Sequence, residues 1–150
     1  MFSEDIADTV LIMIYTGMRP SELLGMKTEN IHLAEKYMVG GVKTKAGKGR
    51  VIPISDKVMP LVRKRYNIEN RFFVDIPYHT YSKYFKSLMN KLGMEHLPHD
   101  CRHTFASMAN TAGVNPTSVK LIMGHASQDL TERVYTHKAV EELISTVNMI

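Results

Sequence analysis

Residues 98–109 read PHDCRHTFASMA, and the reading of the whole chain turns on them. His99, Asp100, Cys101, Arg102 and His103 fill five consecutive positions, after which an apolar helical pattern takes over. Three chemistries compete for such a cluster. A metal site would use His99 and His103, which share one face of a helix at i and i+4, with His96 nearby. Cys101 points to the other side, Arg102 would repel a cation, and no second Cys or His cluster offers further ligands. An ordinary helix start fits better: Pro98, His99 and Asp100 form the entry, and Phe105, Met108 and Ala109 face a core. That reading leaves His99 and Arg102 unassigned. They lie at i and i+3 near a helix N-terminus, where free backbone N–H groups favour an anion. A phosphate is the natural guest of that face.

The rest of the chain sets the bounds. At 150 residues it is one domain with enough length to bury a continuous core, and 44% hydrophobic residues suit a globular fold. The longest apolar run, VLIMIY at residues 10–15, is far too short to cross a bilayer. The opening MFSEDIADT lacks the basic segment and cleavage site of a secretion signal, so a cytoplasmic protein is expected. The single cysteine, Cys101, excludes an internal disulfide and fits a reducing compartment. A net charge of +4 is weakly informative alone, but its distribution is not. The loop-like stretch KTKAGKGR, residues 43–50, carries Lys43, Lys45, Lys48 and Arg50 and no acid, a local positive surface of the kind that attracts phosphate backbones. A solvated hairpin tip would have the same composition.

Periodicity supplies the elements. Ser3 caps a helix through Ile6, Val10 and Ile14 that Gly17 ends, and Pro20 opens a short second helix in PSELLGM. IHLAE, YMVGGV and RVIPIS read as short strands split by turns. Asp56 caps a helix through Val58, Leu61 and Val62. A brief FFV segment precedes a helix with Tyr81, Tyr84, Phe85, Leu88 and Leu92, closed by Gly93. Four helical segments follow from His99, with starts at Asn115-Pro116 and Asp129 and ends at Gly113 and Gly124. The last, KAVEELISTVNMI, has an apolar stripe of Val140, Leu143, Ile144 and Val147. The expected class is mainly α with a small three-stranded antiparallel β-sheet, an α+β single domain. The abrupt start suggests a piece of a longer protein.

With these elements placed, HDCRHTFAS resembles the His-x-x-Arg box of the tyrosine recombinases, the phage and transposon integrase family. Four more boxes occur in the family's order. TGMRPSELLGM is similar to the box of the first catalytic arginine, placing it at Arg19. KTKAGKGRVIPI resembles the hairpin of the catalytic lysine, with Lys45 in the matching place. LIMGHAS gives His125, and TERVYTH gives the nucleophile, Tyr135. The resemblance runs from Ser3 to about Ser145. It departs from the family at Cys101, where a leucine is usual and a small buried residue is expected. The resemblance also leads to the expectation that the family's N-terminal domain, which clamps the far side of the DNA, is not part of these 150 residues.

The resemblance implies a site-specific recombinase that cleaves and rejoins DNA through a 3′-phosphotyrosyl bond, integrating or excising a prophage or mobile element. Arg19 and Arg102 would hold the non-bridging phosphate oxygens. Tyr135 would attack phosphorus, His99 would exchange its proton, Lys45 would protonate the departing 5′ oxygen, and His125 would hydrogen-bond the phosphate. Glu22 would orient Arg19 or a neighbouring histidine, with Lys43, Lys48 and Arg50 on the DNA. No cofactor and no metal are implied. The partners would be double-stranded attachment sites and accessory DNA-bending or directionality proteins, with a monomer alone and a tetramer on DNA at the nucleoid. The final helix would fold back on its own domain and exchange to a neighbour in the assembly. Blander roles stand beside each assignment. Tyr135 is one of seven tyrosines, His125 could cap a helix, and Glu22 could complement a helix dipole. Lys43 and Lys48 compete with Lys45, while His103 and His137 fall outside the motif roles. A chromosome-dimer-resolving recombinase, a type IB topoisomerase-like enzyme and an inactive DNA-binding module are the rival functions.

Overall fold

The computed structural model describes residues 3–40, 49–125 and 136–150. Among the described residues seven α-helices and three short strands follow one another as α1 (Ser3–Thr16), α2 (Pro20–Gly25), β1 (Ile31–His32), β2 (Tyr37–Gly40), β3 (Arg50–Pro53), α3 (Met59–Arg65), α4 (Tyr78–Leu92), α5 (Asp100–Ala112), α6 (Pro116–Met123) and α7 (His137–Asn148), with a 3₁₀ turn over Thr28–Asn30. The strands form one antiparallel sheet in the order β1-β2-β3, with Met38 facing Ile31 on one side and Ile52 on the other. This is the mainly helical class with a small three-stranded sheet that the sequence implies.

Two apolar clusters build the interior. The larger joins α1, α2, the sheet, α3 and α4 around Ile12, Met13, Leu23, Met38, Ile52 and Phe85. The smaller joins β3, α5, α6 and α7 around Val51, Phe105, Ile122, Leu143 and Val147. Helix α5 belongs to both, with Cys101 in the first and Phe105 in the second. Neighbouring residues of β3, Val51 and Ile52, divide in the same way because successive strand side chains point to opposite faces. The seam between the clusters is where the polar residues of interest meet.

Local chemistry explains the boundaries, with some changes to the expectations. Gly17 ends α1 at φ +72, and a Cβ there would meet the Phe105 ring at 2.6 Å, so both the turn and the packing of α1 on α5 require glycine. Asn115 caps α6 by accepting from the Thr117 amide at 2.9 Å. Ser3 is already helical, and its hydroxyl accepts from Lys91 at 3.0 Å. Asp56 does not cap α3. The amides of Val58 and Met59 donate to the Ser55 carbonyl, and Pro60 in the first turn fixes the helix start at Met59. In α4 the buried stripe is Tyr81, Phe85, Leu88 and Met89, while Tyr84 and Leu92 are exposed. Tyr81 earns its burial by sharing a 2.8 Å hydrogen bond with Thr9 of α1. The last helix, α7, folds back on its own domain through Leu143, Thr146 and Val147. Lys57 donates to the Ile150 carbonyl at 2.7 Å, and the Asp56 amide donates to Asn148 at 2.9 Å. Among the described residues no helix is long and apolar enough to cross a membrane.

Candidate active site

Arg19 sits at the cap of α2, in extended conformation between the Gly17 turn and Pro20. Its carbonyl accepts the first amides of the helix, from Glu22 and Leu23, which leaves the side chain free to project. Glu22, at 4% exposure, takes Nη1 of Arg19 on Oε1 at 2.7 Å. Its other oxygen takes Nη2 of Arg50 at 2.5 Å. Of the two expected partners, Arg19 or a histidine, Glu22 pairs with Arg19, and its other oxygen takes Arg50.

Arg102, on the first turn of α5, is 3% exposed. Its Nη1 donates to the Gly17 carbonyl at 2.8 Å, and its Nη2 to the Met123 carbonyl at 2.6 Å. The same Nη2 lies 2.9 Å from Nε2 of His125. His125 follows the left-handed Gly124 that ends α6, and its backbone amide closes that turn by donating to Lys120. The backbone does the capping, so the imidazole is free to meet Arg102.

His99 occupies the cap position of α5 without making a side-chain cap. It shares an open cleft of about 570 Å³ with Arg19, Ser21, Leu24 and Tyr78. The His103 ring meets it edge-on, with centroids 5.0 Å apart. Among the described residues no group of three His, Cys, Asp or Glu is arranged to hold a metal ion. His137 stands apart, paired with Glu141 at 3.0 Å on an exposed surface. Cys101 is buried, and that burial pushes its thiol up to about 11, an unreactive packing residue. Lys43, Lys45, Lys48 and Tyr135 lie outside the described residues.

Three guanidinium groups, of Arg19, Arg50 and Arg102, surround the single Glu22 carboxylate. Burial, reinforced by Arg19 and Arg50 and opposed by Glu22, brings Arg102 down to about 10, so it stays cationic at neutral pH. Desolvation, then His103, Arg102 and Arg19, holds His99 below the ordinary imidazole value. Desolvation and the same arginines do this to His125 as well. Both rings are thus neutral near pH 7. A neutral His125 can accept from Arg102 at Nε2, and a neutral His99 can accept a proton. The site has cations in excess, proton acceptors beside them and a cleft open to solvent, which suits an anion that acquires charge as it reacts.

Arg50 corrects the expectation of a DNA contact. It opens β3, whose four residues are all buried, and it is itself 0% exposed, its guanidinium turned to Glu22 and the Ile122 carbonyl. An arginine heading a strand of otherwise apolar residues, RVIP, is the signal that it needs a buried acid. Tyr78 was missed for a different reason. Nothing near it in sequence places it in the cleft; the packing of α4 beside α2 does.

The profile of the phage integrase family matches residues 3–142. The chain belongs to that family. It is 31% identical over 137 residues to the tyrosine recombinase XerA of Saccharolobus solfataricus, covering 89% of this chain and 46% of that protein. To the integrase of Escherichia phage P2 it is 30% identical over 139 residues, covering 93% of this chain and 40% of the relative. The chain thus spans about half the length of the curated relatives it matches. The integrase from mycobacterium phage Brujita has the same fold, with a TM-score of 0.79 at 18% identity over 97% of this chain and 51% of that one. The Tn1549 transposon integrase, solved in complex with circular intermediate DNA, superposes with a TM-score of 0.70 at 21% identity over 92% of this chain and 56% of the other.

Proposed function

We propose that residues 1–150 are the catalytic domain of a site-specific tyrosine recombinase acting on double-stranded DNA, in the service of a prophage or mobile element. The observation that carries this reading is the closeness of Arg19, Arg102, His99 and His125, with excess positive charge, in a member of the phage integrase family. In this reading Tyr135 Oη attacks the scissile phosphorus, the P–O5′ bond breaks, and a 3′-phosphotyrosyl bond conserves the diester's energy for religation. His99 takes the tyrosyl proton, and Lys45 delivers one to the departing 5′ oxygen. Arg19 and Arg102 neutralise the non-bridging oxygens of the pentacoordinate phosphorus. His125 supports the same oxygens beside Arg102. Lys43 and Lys48 contact the flanking backbone. A tetramer assembled on paired sites, helped by accessory DNA-bending proteins, completes the reaction, with α7 exchanged to a neighbour. Similarity to XerA of S. solfataricus supports a second reading, a housekeeping recombinase that resolves chromosome dimers; the two separate on whether deletion of the gene blocks excision of a flanking element or chromosome segregation.

The test is a nicked DNA substrate from which the short 5′-hydroxyl strand diffuses away after cleavage. The full-length protein leaves a covalent adduct, and Tyr135→Phe binds the DNA but leaves none. An undiminished adduct from that variant would assign the chemistry to another residue.

A further inference from the structure

Arg50 has no place in the chemistry above, yet it holds one of the most buried positions in the chain. Removing a guanidinium from water carries a large cost, and here the compensation is incomplete. Nη2 pairs with Glu22 and Nε donates to the Ile122 carbonyl at 2.8 Å, but Nη1 has no acceptor among the described residues. For stability alone, an apolar side chain of similar volume would serve as well or better. What a guanidinium adds is a rigid fork that fixes two partners at a set distance. Those partners lead directly to the site. Glu22 holds Arg19 on its other oxygen. Ile122 is followed by Met123, whose carbonyl takes Arg102, and by Gly124 and His125. Gly124 also packs on the Arg50 side chain, where a Cβ would lie 3.1 Å from both Cδ and Nη1.

Resting on the recombinase reading, we infer that Arg50 is a positioning residue that locks the Glu22–Arg19 pair of α2 to the α6 turn carrying His125, and so sets the spacing of the groups that grip the phosphate. It touches neither DNA nor the reacting atoms. Because the spacing it sets is that between Arg19 and the His125 turn, its effect on cleavage depends on Arg19 being present, and this separates it from a residue that merely holds the fold together.

The full-length protein, Arg50→Met, Arg19→Ala and the double variant are compared in single-turnover cleavage of the nicked substrate. Each is also tested on the same DNA with a neutral methylphosphonate at the scissile position. Arg50→Met slows cleavage of the phosphodiester roughly a hundredfold, the scale of a misplaced reacting group. In the Arg19→Ala background it adds no more than about twofold. The methylphosphonate lacks the charge that the arginines neutralise, so it restores part of the rate to both single variants. Arg50→Lys keeps the buried charge but not the fork; it melts near the parent and gives the same pattern, which covers the case of a poorly folded Met variant. Losses that multiply in the double variant, equal losses on both substrates, or a wild-type rate in Arg50→Lys would overturn the inference. Weakened DNA binding with unchanged cleavage would return Arg50 to the phosphate backbone and overturn it too. If the parent protein cleaves neither substrate, the recombinase reading fails first and takes this inference with it.

Discussion

At Gly124 two independent constraints exclude a side chain. The backbone sits at φ +75, and a Cβ would press on the Arg50 guanidinium at 3.1 Å. Gly124→Ala should therefore cost about 1–3 kcal/mol from the backbone alone. It should also move Arg50 and His125, slowing cleavage more than the loss of stability explains. Urea denaturation and single-turnover cleavage of the same variant check both. His99 and His125 set a second expectation. Both have folded-state pKa values below the ordinary imidazole value. The unfolded chain therefore binds more protons than the folded one once the pH drops to about 6.5. Their contribution to stability is complete above that pH and is lost as the pH falls toward the folded-state values. Urea midpoints should decline as the pH falls below about 6.5, and replacing His125 with Gln should flatten the decline. A constant midpoint in the parent would contradict the stated environment of both rings. At this scale the sequence singled out Arg19, Arg102, His99 and His125 through motifs whose chemistry demands each type, and the structure sets Arg102 against His125 and Arg19 in one cleft with His99. Arg50, expected on the DNA, turns inward with β3, which the run of lysines before it in sequence does not reveal.

Helix α7 shows what an element gains from its docking. Twelve residues form a marginal helix in isolation, so its stability comes from burying Leu143, Thr146 and Val147 against β3 and α6. Leu143→Ala should cost about 2–5 kcal/mol, a large-to-small change at 2% exposure. A thermal shift close to zero would mean that α7 is not held on its own domain in solution. Its apolar stripe was readable from Val140, Leu143, Ile144 and Val147, though Val140 and Ile144 prove only half-buried and Thr146 takes a core position. Thr146 escaped notice because its hydroxyl satisfies itself on the Glu142 carbonyl at 2.9 Å, letting a polar residue pass as apolar. The same device buries Thr9 and Thr16 in α1, on the Ile6 and Ile12 carbonyls. The core stripe of that helix is in consequence Ile6, Thr9, Ile12, Met13 and Thr16, where hydropathy alone favoured Val10 and Ile14. The turn glycines Gly17, Gly93, Gly113 and Gly124 were read more faithfully than these, whereas of the caps Asn115 held and Ser3 and Asp56 did not.

Across the whole molecule, the two apolar clusters hold α2, α5 and α6 so that groups more than 80 residues apart in sequence meet, as Arg102 meets the Gly17 carbonyl. That assembly is what no short motif can report. In the proposed recombinase reading, guanidinium groups do the electrophilic work that a metal ion does in other phosphoryl-transfer enzymes. Single-turnover cleavage of the nicked substrate in excess EDTA tests this most directly, with the full-length protein and Arg102→Ala side by side. The parent should cleave at an undiminished rate, and Arg102→Ala should bind the DNA but cleave roughly a hundredfold or more slowly. A strict requirement for added Mg²⁺, or a parental rate from Arg102→Ala, would contradict it.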